Sequence, residues 1–287
     1  MYLQFADKGQ EVSRLQNEMN KAGATPALVV DGKFGPKTEA AVKALQVKHG
    51  IEPIGGTSPR TWEALGCAPW LGCDVSHYQG EIPWPSLAEA GLKFAIIKAG
   101  QGRGRDAKFA TNWAGAKAAG MGRGAYWYGT FREGEAVEEA RFACQTVGRL
   151  EADDLPLTLD VEENLGPERL LSWTRAFCDE AWRLTGKRPI VYTYVSCLRY
   201  RMKGGEDLSK RFPLWIARYA DGTTDPGYTG DWRKWAIWQW TSHGNWDGNP
   251  RADKPRIKGW NCKVDYDWMP DGARTWSALC APCEFAP

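Results

Sequence analysis

Asp160 and Glu162 stand two residues apart at the end of the run Leu157-Thr158-Leu159-Asp160-Val161-Glu162. The run reads as a buried strand. Side chains on a strand alternate, so residues i and i+2 leave the same face. The two carboxyl groups therefore project together from the strand's C-terminal end, where parallel β/α folds build their active sites. Neighbouring carboxyls whose surroundings push their pKa values apart are the equipment for cleaving a glycosidic bond. An isolated Asp-x-Glu is usually a solvated acidic pair. Here the approach is apolar, and a second strand pattern at residues 71–75 also ends in an acid, which favours chemistry.

Two further acids belong to the same reading. Asp74 ends the first strand pattern, and Asp265 lies on the last, in Lys263-Val264-Asp265-Tyr266. In a closed barrel the first and last strands are neighbours, so Asp74 and Asp265 would meet at one rim, with the fourth strand reaching the same mouth from across the barrel. Four carboxyls sharing one cleft cannot all ionise easily, which keeps a proton on the cluster near neutral pH. A departing sugar oxygen requires such a proton.

The elements that must position these residues follow from periodicity and turn signals. Candidate strands are 71–76, 94–100, 122–128, 155–161, 189–194, 214–219, 236–241 and 263–268. Helical patterns at 107–119, 134–149 and 167–185 separate several of them, whereas the connections after residue 219 are too short or too rich in Gly and Pro for full helices. The pattern predicts an α/β fold: parallel β/α units in an irregular barrel of eight strands with fewer helices. Residues 1–66 read instead as a small three-helix domain. Val12, Leu15, Gln16 and Met19 mark one helix, and Ala41, Val42, Leu45 and Gln46 a second, with Thr38 as its expected cap. Ser58 should cap the third, with Pro59 at its first position and Thr61 and Trp62 following. Residues 67–70 read as a linker, 71–268 as the barrel and 269–287 as a C-terminal extension without a functional reading.

At 287 residues, one large domain plus a small one is expected. The net charge of +2 with scattered basic residues gives no nucleic-acid stripe. No apolar stretch approaches a membrane span, and the first residues lack a leader pattern, so synthesis in the cytoplasm without a signal peptide is expected. The eight cysteines are read as reduced thiols. Cys280-x-x-Cys283 resembles half a zinc site without a second half, so no metal and no cofactor are expected. The sixteen tryptophans either fill a core or offer flat apolar faces to sugar rings, and their placement near strand ends favours sugar.

Two resemblances sharpen the reading. Val12-x-x-Leu15-Gln16, the loop Asp31-Gly32-x-Phe34-Gly35-x-x-Thr38, Ala41-Val42-x-x-Leu45-Gln46 and Thr61-x-x-x-Leu65 resemble the peptidoglycan-binding type-1 module, a three-helix bundle. This implies a cell-wall site around Asp31, Gly32, Phe34, Gly35 and Thr38. A departure is Ile54-Gly55-Gly56-Thr57, where the family often repeats an Asp-Gly. Residues 71–268 resemble glycoside hydrolase family 25, the Chalaropsis-type lysozymes also common as phage endolysins. The motifs are Asp74-Val75-Ser76-His77-Tyr78-Gln79-Gly80, Ile82-x-Trp84, Phe94-x-x-x-Lys98-Ala99, Gly102 with Asp106, and Gly124-Ala125-Tyr126. They continue with Asp160-Val161-Glu162, Pro189-x-x-Tyr192, Leu214-Trp215-Ile216-Ala217-x-Tyr219, Trp238-Gln239 and Val264-Asp265.

The resemblance implies a flattened, incomplete (β/α) barrel and cleavage of the β-1,4 bond between N-acetylmuramic acid and N-acetylglucosamine in peptidoglycan glycan strands. By position, Glu162 would be the general acid and Asp160 its partner. Asp160 is either a nucleophile or the stabiliser of an oxazolinium ion formed by the substrate's acetamido group; the acetamido beside the anomeric carbon favours the second. Asp74 and Asp265 would tune and orient the pair or anchor loops. Lys98, Tyr126, Tyr192, Trp215, Tyr219 and Gln239 are nominated for the sugar cleft, with Trp215 equally suited to barrel packing. His77 is read as a loop anchor, Ser76-His77 having no identifiable third partner. Residues 242–261 form a long polar connection, a lid or an ordinary loop. The expected protein is a monomeric lysin without nucleic-acid or membrane partners, either a phage endolysin reaching the wall through a holin or a prophage-derived bacterial autolysin. Tethering a weak binder to the catalytic domain would raise the effective substrate concentration. The alternatives are a chitinase-like hydrolase, whose longer acidic motif is missing here, and a non-catalytic wall-binding protein.

Overall fold

The computed structural model describes residues 3–67, 69–219, 226–232, 234–242, 257, 260 and 262–285. They form two compact units.

The smaller unit holds α1 (Gln10–Lys21), α2 (Pro36–Lys48) and α3 (Pro59–Ala64). Val12, Leu15, Met19, Phe34, Val42, Leu45 and Trp62 fill its centre. Ser58 and Thr61 form a reciprocal capping box at the start of α3. Thr38 does not cap α2. The helix starts at Pro36 behind Gly35, because a proline ring pre-sets the first helical φ and has no N–H to satisfy. Thr38 is instead buried, its hydroxyl 3.3 Å from Gln16 Nε2.

The two inter-helix loops are held by the same device. Gln16 accepts from Gly32 N at 3.0 Å and donates to Lys33 O at 3.1 Å. Gln46 accepts from Gly55 N at 3.1 Å and donates to Gly56 O at 2.7 Å and to Thr61 Oγ1 at 3.1 Å. The Gly55-Gly56 departure thus keeps the geometry of the first loop: Gly32 and Gly55 both have positive φ, which a residue with a Cβ adopts only under strain. Gln46→Ala leaves a buried N–H and a carbonyl without partners. An unfolding free energy lower by about 2–3 kcal/mol is expected, read from urea denaturation of the full chain. No change would show the amide to be dispensable.

The larger unit contains β1 (Trp70–Val75), a 3-10 turn (His77–Gln79), α4 (Trp84–Glu89), β2 (Phe94–Gln101), β3 (Gly104–Arg105), α5 (Phe109–Ala118) and β4 (Gly122–Tyr128). It continues with α6 (Ala136–Val147), β5 (Thr158–Asp160), α7 (Pro167–Thr185), β6 (Ile190–Tyr194), α8 (Val195–Tyr200) and α9 (Glu206–Arg211). Last come β7 (Leu214–Ala217), β8 (Ile237–Thr241), β9 (Asp265–Met269) and α10 (Gly272–Cys280). Eight strands close a ring in the order β1-β2-β4-β5-β6-β7-β8-β9, and β3 is a hairpin appendage on β2.

The all-parallel expectation needs one correction. β9 runs antiparallel to both β8 and β1. An antiparallel strand can start at the barrel end where its predecessor stops, with no crossover to the far end. β5 is also shorter than its apolar run, because Pro156 has no N–H to give to a ladder. Pairing resumes beyond the strand's end: Val161 N donates to Tyr192 O at 2.9 Å, and Gly129 N to Asp160 O at 3.0 Å.

Phe94, Ile96, Leu155, Ile190, Ile237 and Met269 pack the barrel interior. The C-terminal extension closes the end opposite the strands' C-termini. Trp276 lies 5.7 Å from both Trp70 and Phe94. It also covers Gly122, where an added Cβ would come within 2.6 Å of the indole. Cys280 is buried with Sγ 3.4 Å from Asp153 O, and Cys283 O accepts from Trp182 Nε1 at 3.0 Å, so both residues belong to this packing. The tryptophans are mainly core material: Trp62, Trp127 and Trp215 are among the largest fully buried side chains. The expectation from placement near strand ends was too generous to sugar. Among the described residues, no helix is long and apolar enough to cross a membrane.

Candidate active site

One pocket of about 250 Å³ opens at the mouth of the barrel. Its lining contains Asp74, Lys98, Tyr126, Tyr128, Asp160, Glu162, Tyr192, Trp215, Tyr219, Gln239 and Asp265. Every residue nominated from the barrel sequence lies there. Tyr128 was missed; it sits two residues beyond Tyr126 on β4, and the alternation already used for Asp160 and Glu162 would have found it. The same alternation from Asp265 leads to Asp267, also missed, which lies directly below the pocket and is fully buried.

Strand register explains the convergence. Asp74 and Asp265 are directly opposite in the antiparallel β1–β9 pair. Asp160 ends β5 beside Tyr128 of β4 and Tyr192 of β6. Glu162 follows on the same side, its backbone held by Thr193 Oγ1 donating to Val161 O at 2.7 Å and Tyr194 Oη donating to Glu162 O at 3.3 Å. Lys98 precedes a register irregularity in β2, donates to Gln101 Oε1 at 2.9 Å and lies 5.4 Å from the Tyr128 ring centre.

Gln239 is the hub on the β8 side. Its Oε1 accepts from Tyr192 Oη and Tyr219 Oη, each at 2.9 Å, and its Nε2 donates to Asp74 Oδ2 at 2.7 Å. Trp215 is 2 % exposed, packs against Tyr192 at 4.5 Å and gives its indole N–H to Asp267 at 2.8 Å. Its ring edge floors the pocket, while its N–H is committed below.

The carboxyls are far from their ordinary behaviour. Burial, then the neighbouring Glu162, holds Asp160 well above the usual carboxylate range, with Lys98 opposing. Glu162 is raised chiefly by burial, against the Tyr192 hydroxyl and Lys98. Asp74 is raised by burial and then by Asp265 and Asp267. Asp265 is pushed up to about 7, mostly by burial, with Glu162 adding to it. Asp160 Oδ1 is buried and has no hydrogen-bond partner among the described residues. Such a bare acceptor is costly unless a ligand donor reaches it.

A stability prediction follows. Between pH about 4 and 7 the folded chain keeps the Asp265 proton that the unfolded chain has released, so stability falls as pH rises through this window. Asp265→Asn removes that penalty. Its Tm should exceed wild type by roughly 2–6 °C at pH 8, with the difference closing near pH 4. An equal or lower Tm at pH 8 would contradict the burial argument.

His77 is a loop anchor in this geometry. Its Nδ1 is 2.6 Å from Asp106 Oδ2, and Asp106 also accepts from the backbone N–H groups of His77 and Lys108. Ser76 Oγ instead caps the 3-10 turn, so no triad forms. In the small unit, Phe34 and Thr38 are buried, and Asp31 accepts from Gln16 Nε2 and Lys33 N, each at 2.9 Å. These residues shape their loop. A separate depression of about 350 Å³ lies between Met19, Leu28, Lys37, Ala41, Leu45 and Lys48. Of the connection 242–261, all but Ser242, Ile257 and Trp260 lie outside the described residues. Among the described residues, no group of three or more His, Cys, Asp or Glu side chains could hold a metal ion.

Paired acids, tyrosines and an amide at the mouth of a closed barrel are the equipment of a glycoside hydrolase. Residues 73–249 match the family model described as glycosyl hydrolases family 25, and residues 8–65 match that of a putative peptidoglycan binding domain. The chain belongs to glycosyl hydrolases family 25. Lysozyme M1 of Streptomyces globisporus is 27% identical over 251 residues, covering 83% of this chain and 84% of the relative. The N,O-diacetylmuramidase of Chalaropsis sp. is 29% identical over 184 residues, 58% of this chain and 86% of that protein. The crystal structure of the bacterial lysozyme from Streptomyces coelicolor superposes with a TM-score of 0.65 at 26% identity, over 74% of this chain and 96% of that one.

Proposed function

We propose that the enzyme hydrolyses the β-1,4 bond between N-acetylmuramic acid and N-acetylglucosamine in peptidoglycan, with Glu162 as general acid and Asp160 as its partner. The observation that carries this reading is the pairing of the two carboxyls in one pocket, Asp160 buried and Glu162 half-buried. Glu162 stands toward the opening, protonated over a wider pH range than a free carboxyl, as a donor to the leaving oxygen must be. Asp160 lies deeper, with one bare oxygen. That oxygen suits the N–H of an acetamido group, which Asp160 would orient for attack on its own anomeric carbon. The positive charge developing beside it would draw Asp160 into the charged form that burial disfavours in the free pocket, and that carboxylate would stabilise the oxazolinium ion. Asp74, through Gln239, fixes the tyrosine hydroxyls around this pair, and Asp265 sets the charge beside Glu162. In this proposal residues 1–66 hold the wall and residues 71–268 cut it.

The test is digestion of purified peptidoglycan, with mass spectrometry of the new reducing ends. Muramic-acid ends are expected. Glucosamine ends would overturn the bond assignment, and a covalent glycosyl–Asp160 adduct would replace assistance by direct nucleophilic attack.

A further inference from the structure

Asp267 lines no part of the pocket, yet it lies in the barrel interior beneath it with no exposed surface. On β9 it is opposite Gly72 of β1 and Gln239 of β8, one inward-facing step below Asp265. Oδ1 accepts from Trp215 Nε1 at 2.8 Å. Oδ2 is buried and receives no N–H or hydroxyl donor among the described residues. Asp74 stands diagonally across the β1–β9 pair, its carboxyl within hydrogen-bonding reach of that of Asp267, and Oδ2 is the oxygen left free to meet it. Two carboxyls can share such a bond only through a proton held between them. Asp74 Oδ2 in turn takes Gln239 Nε2 at 2.7 Å, and Gln239 Oε1 takes the hydroxyls of Tyr192 and Tyr219. An unbroken chain therefore runs from the Trp215 indole through Asp267, Asp74 and Gln239 to the two tyrosines of the cleft.

We propose that Asp267 is a positioning residue: with one oxygen it fixes Trp215, and with the other it holds Asp74 as a hydrogen-bonded acid, thereby setting Gln239, Tyr192 and Tyr219. This deepens the muramidase reading and rests on it. A buried carboxyl serving Trp215 alone would leave its second oxygen bare at a cost of about 1–3 kcal/mol. The bond to Asp74 gives that oxygen its partner. The shared bond favours the proton on Asp74 and any negative charge on Asp267, the deeper member, away from the carboxyls that face the sugar.

Asp267→Asn separates the two roles. Asn still accepts from the Trp215 N–H through its carbonyl oxygen, so a merely structural role survives. Its amide donates to Asp74, which then ionises and moves the charge up toward Asp265 and Glu162. The variant should fold as wild type and lose about tenfold in kcat on peptidoglycan with little change in KM. The alkaline limb of its pH profile should move up by about half a unit. Asp74→Asn combined with Asp267→Asn should be no worse than Asp74→Asn alone, since one residue acts through the other. A wild-type pH profile for Asp267→Asn, or additive losses in the double variant, would overturn the proposal. Infrared spectra of wild type and Asp267→Asn at neutral pH give a readout independent of turnover. Loss of one protonated-carboxyl band in the variant supports the shared proton, and an unchanged band overturns it. Should wild type cleave no peptidoglycan, the functional reading fails, and the infrared comparison still decides the fate of Asp267.

Discussion

Glu162→Gln is expected to lower the rate of peptidoglycan cleavage by about 10²–10⁴-fold while leaving the fold intact. The amide keeps the size and much of the hydrogen bonding of the carboxyl, so backbone bonds such as Tyr194 Oη to Glu162 O remain. What disappears is the transferable proton. Asp160 and Asp74 are poorly set to replace it: both are more deeply enclosed, and Asp74 is tied to Gln239. Because burial disfavours the Glu162 carboxylate, the amide should also unfold at the wild-type temperature or slightly above it at pH 7. Release of reducing ends together with a thermal melt checks both halves. A variant that folds normally and retains more than about a tenth of wild-type turnover would remove Glu162 from the role of acid.

Glu139→Ala is expected to cost about 3–5 kcal/mol of stability, a large share of what a domain has. This carboxylate of α6 is 4 % exposed. Its Oε1 accepts from Gly102 N at 3.2 Å, Trp127 Nε1 at 3.0 Å and Thr130 N at 3.1 Å, and its Oε2 from the Thr130 hydroxyl. One side chain thus ties the β2–β3 turn to the segment after β4. Alanine would leave two buried N–H groups and one half-buried one without an acceptor. Glu139→Gln keeps the oxygen that takes all three, and the Thr130 hydroxyl can rotate to accept from the new amide, so most of the loss should be recovered. Urea midpoints of both variants make the comparison. An alanine variant within about 1 kcal/mol of wild type would show that water replaces the carboxylate freely.

Much of this site was legible before any coordinates, for a specific reason. The strands are apolar runs bounded by Gly and Pro, and an acid ending such a run must sit at a barrel rim. Asp74, Asp160 and Glu162 could therefore be placed from period and punctuation, whereas Asp265 begins β9 and reaches the same rim because that strand runs antiparallel. The direction of β9 could not, because an alternating pattern reads the same from either end. Asp267 was overlooked because its neighbour Asp265 already satisfied the family motif, although Asp265-Tyr266-Asp267 repeats the spacing of Asp160-Val161-Glu162. The tryptophans misled because one residue type serves both sugar stacking and volume filling, and only burial distinguishes them. Thr38 was mistaken for a cap because the pull of Pro36 toward the first helical position outweighs that of a hydroxyl two residues later.

The position of β9 has a consequence for how the protein is made. The ring closes only when this late strand inserts between β8 and β1, and its lower end is sealed only when Trp276 reaches Phe94 and Gly122. A nascent chain that has emerged as far as β8 holds Asp74, Asp160 and Glu162 but lacks Asp265 and Asp267. Maturation of the cleft thus waits for β9 to emerge. The longest-range pairing in the barrel is among the last to form, which predicts slow barrel assembly and no hydrolytic capacity in a chain that lacks β9.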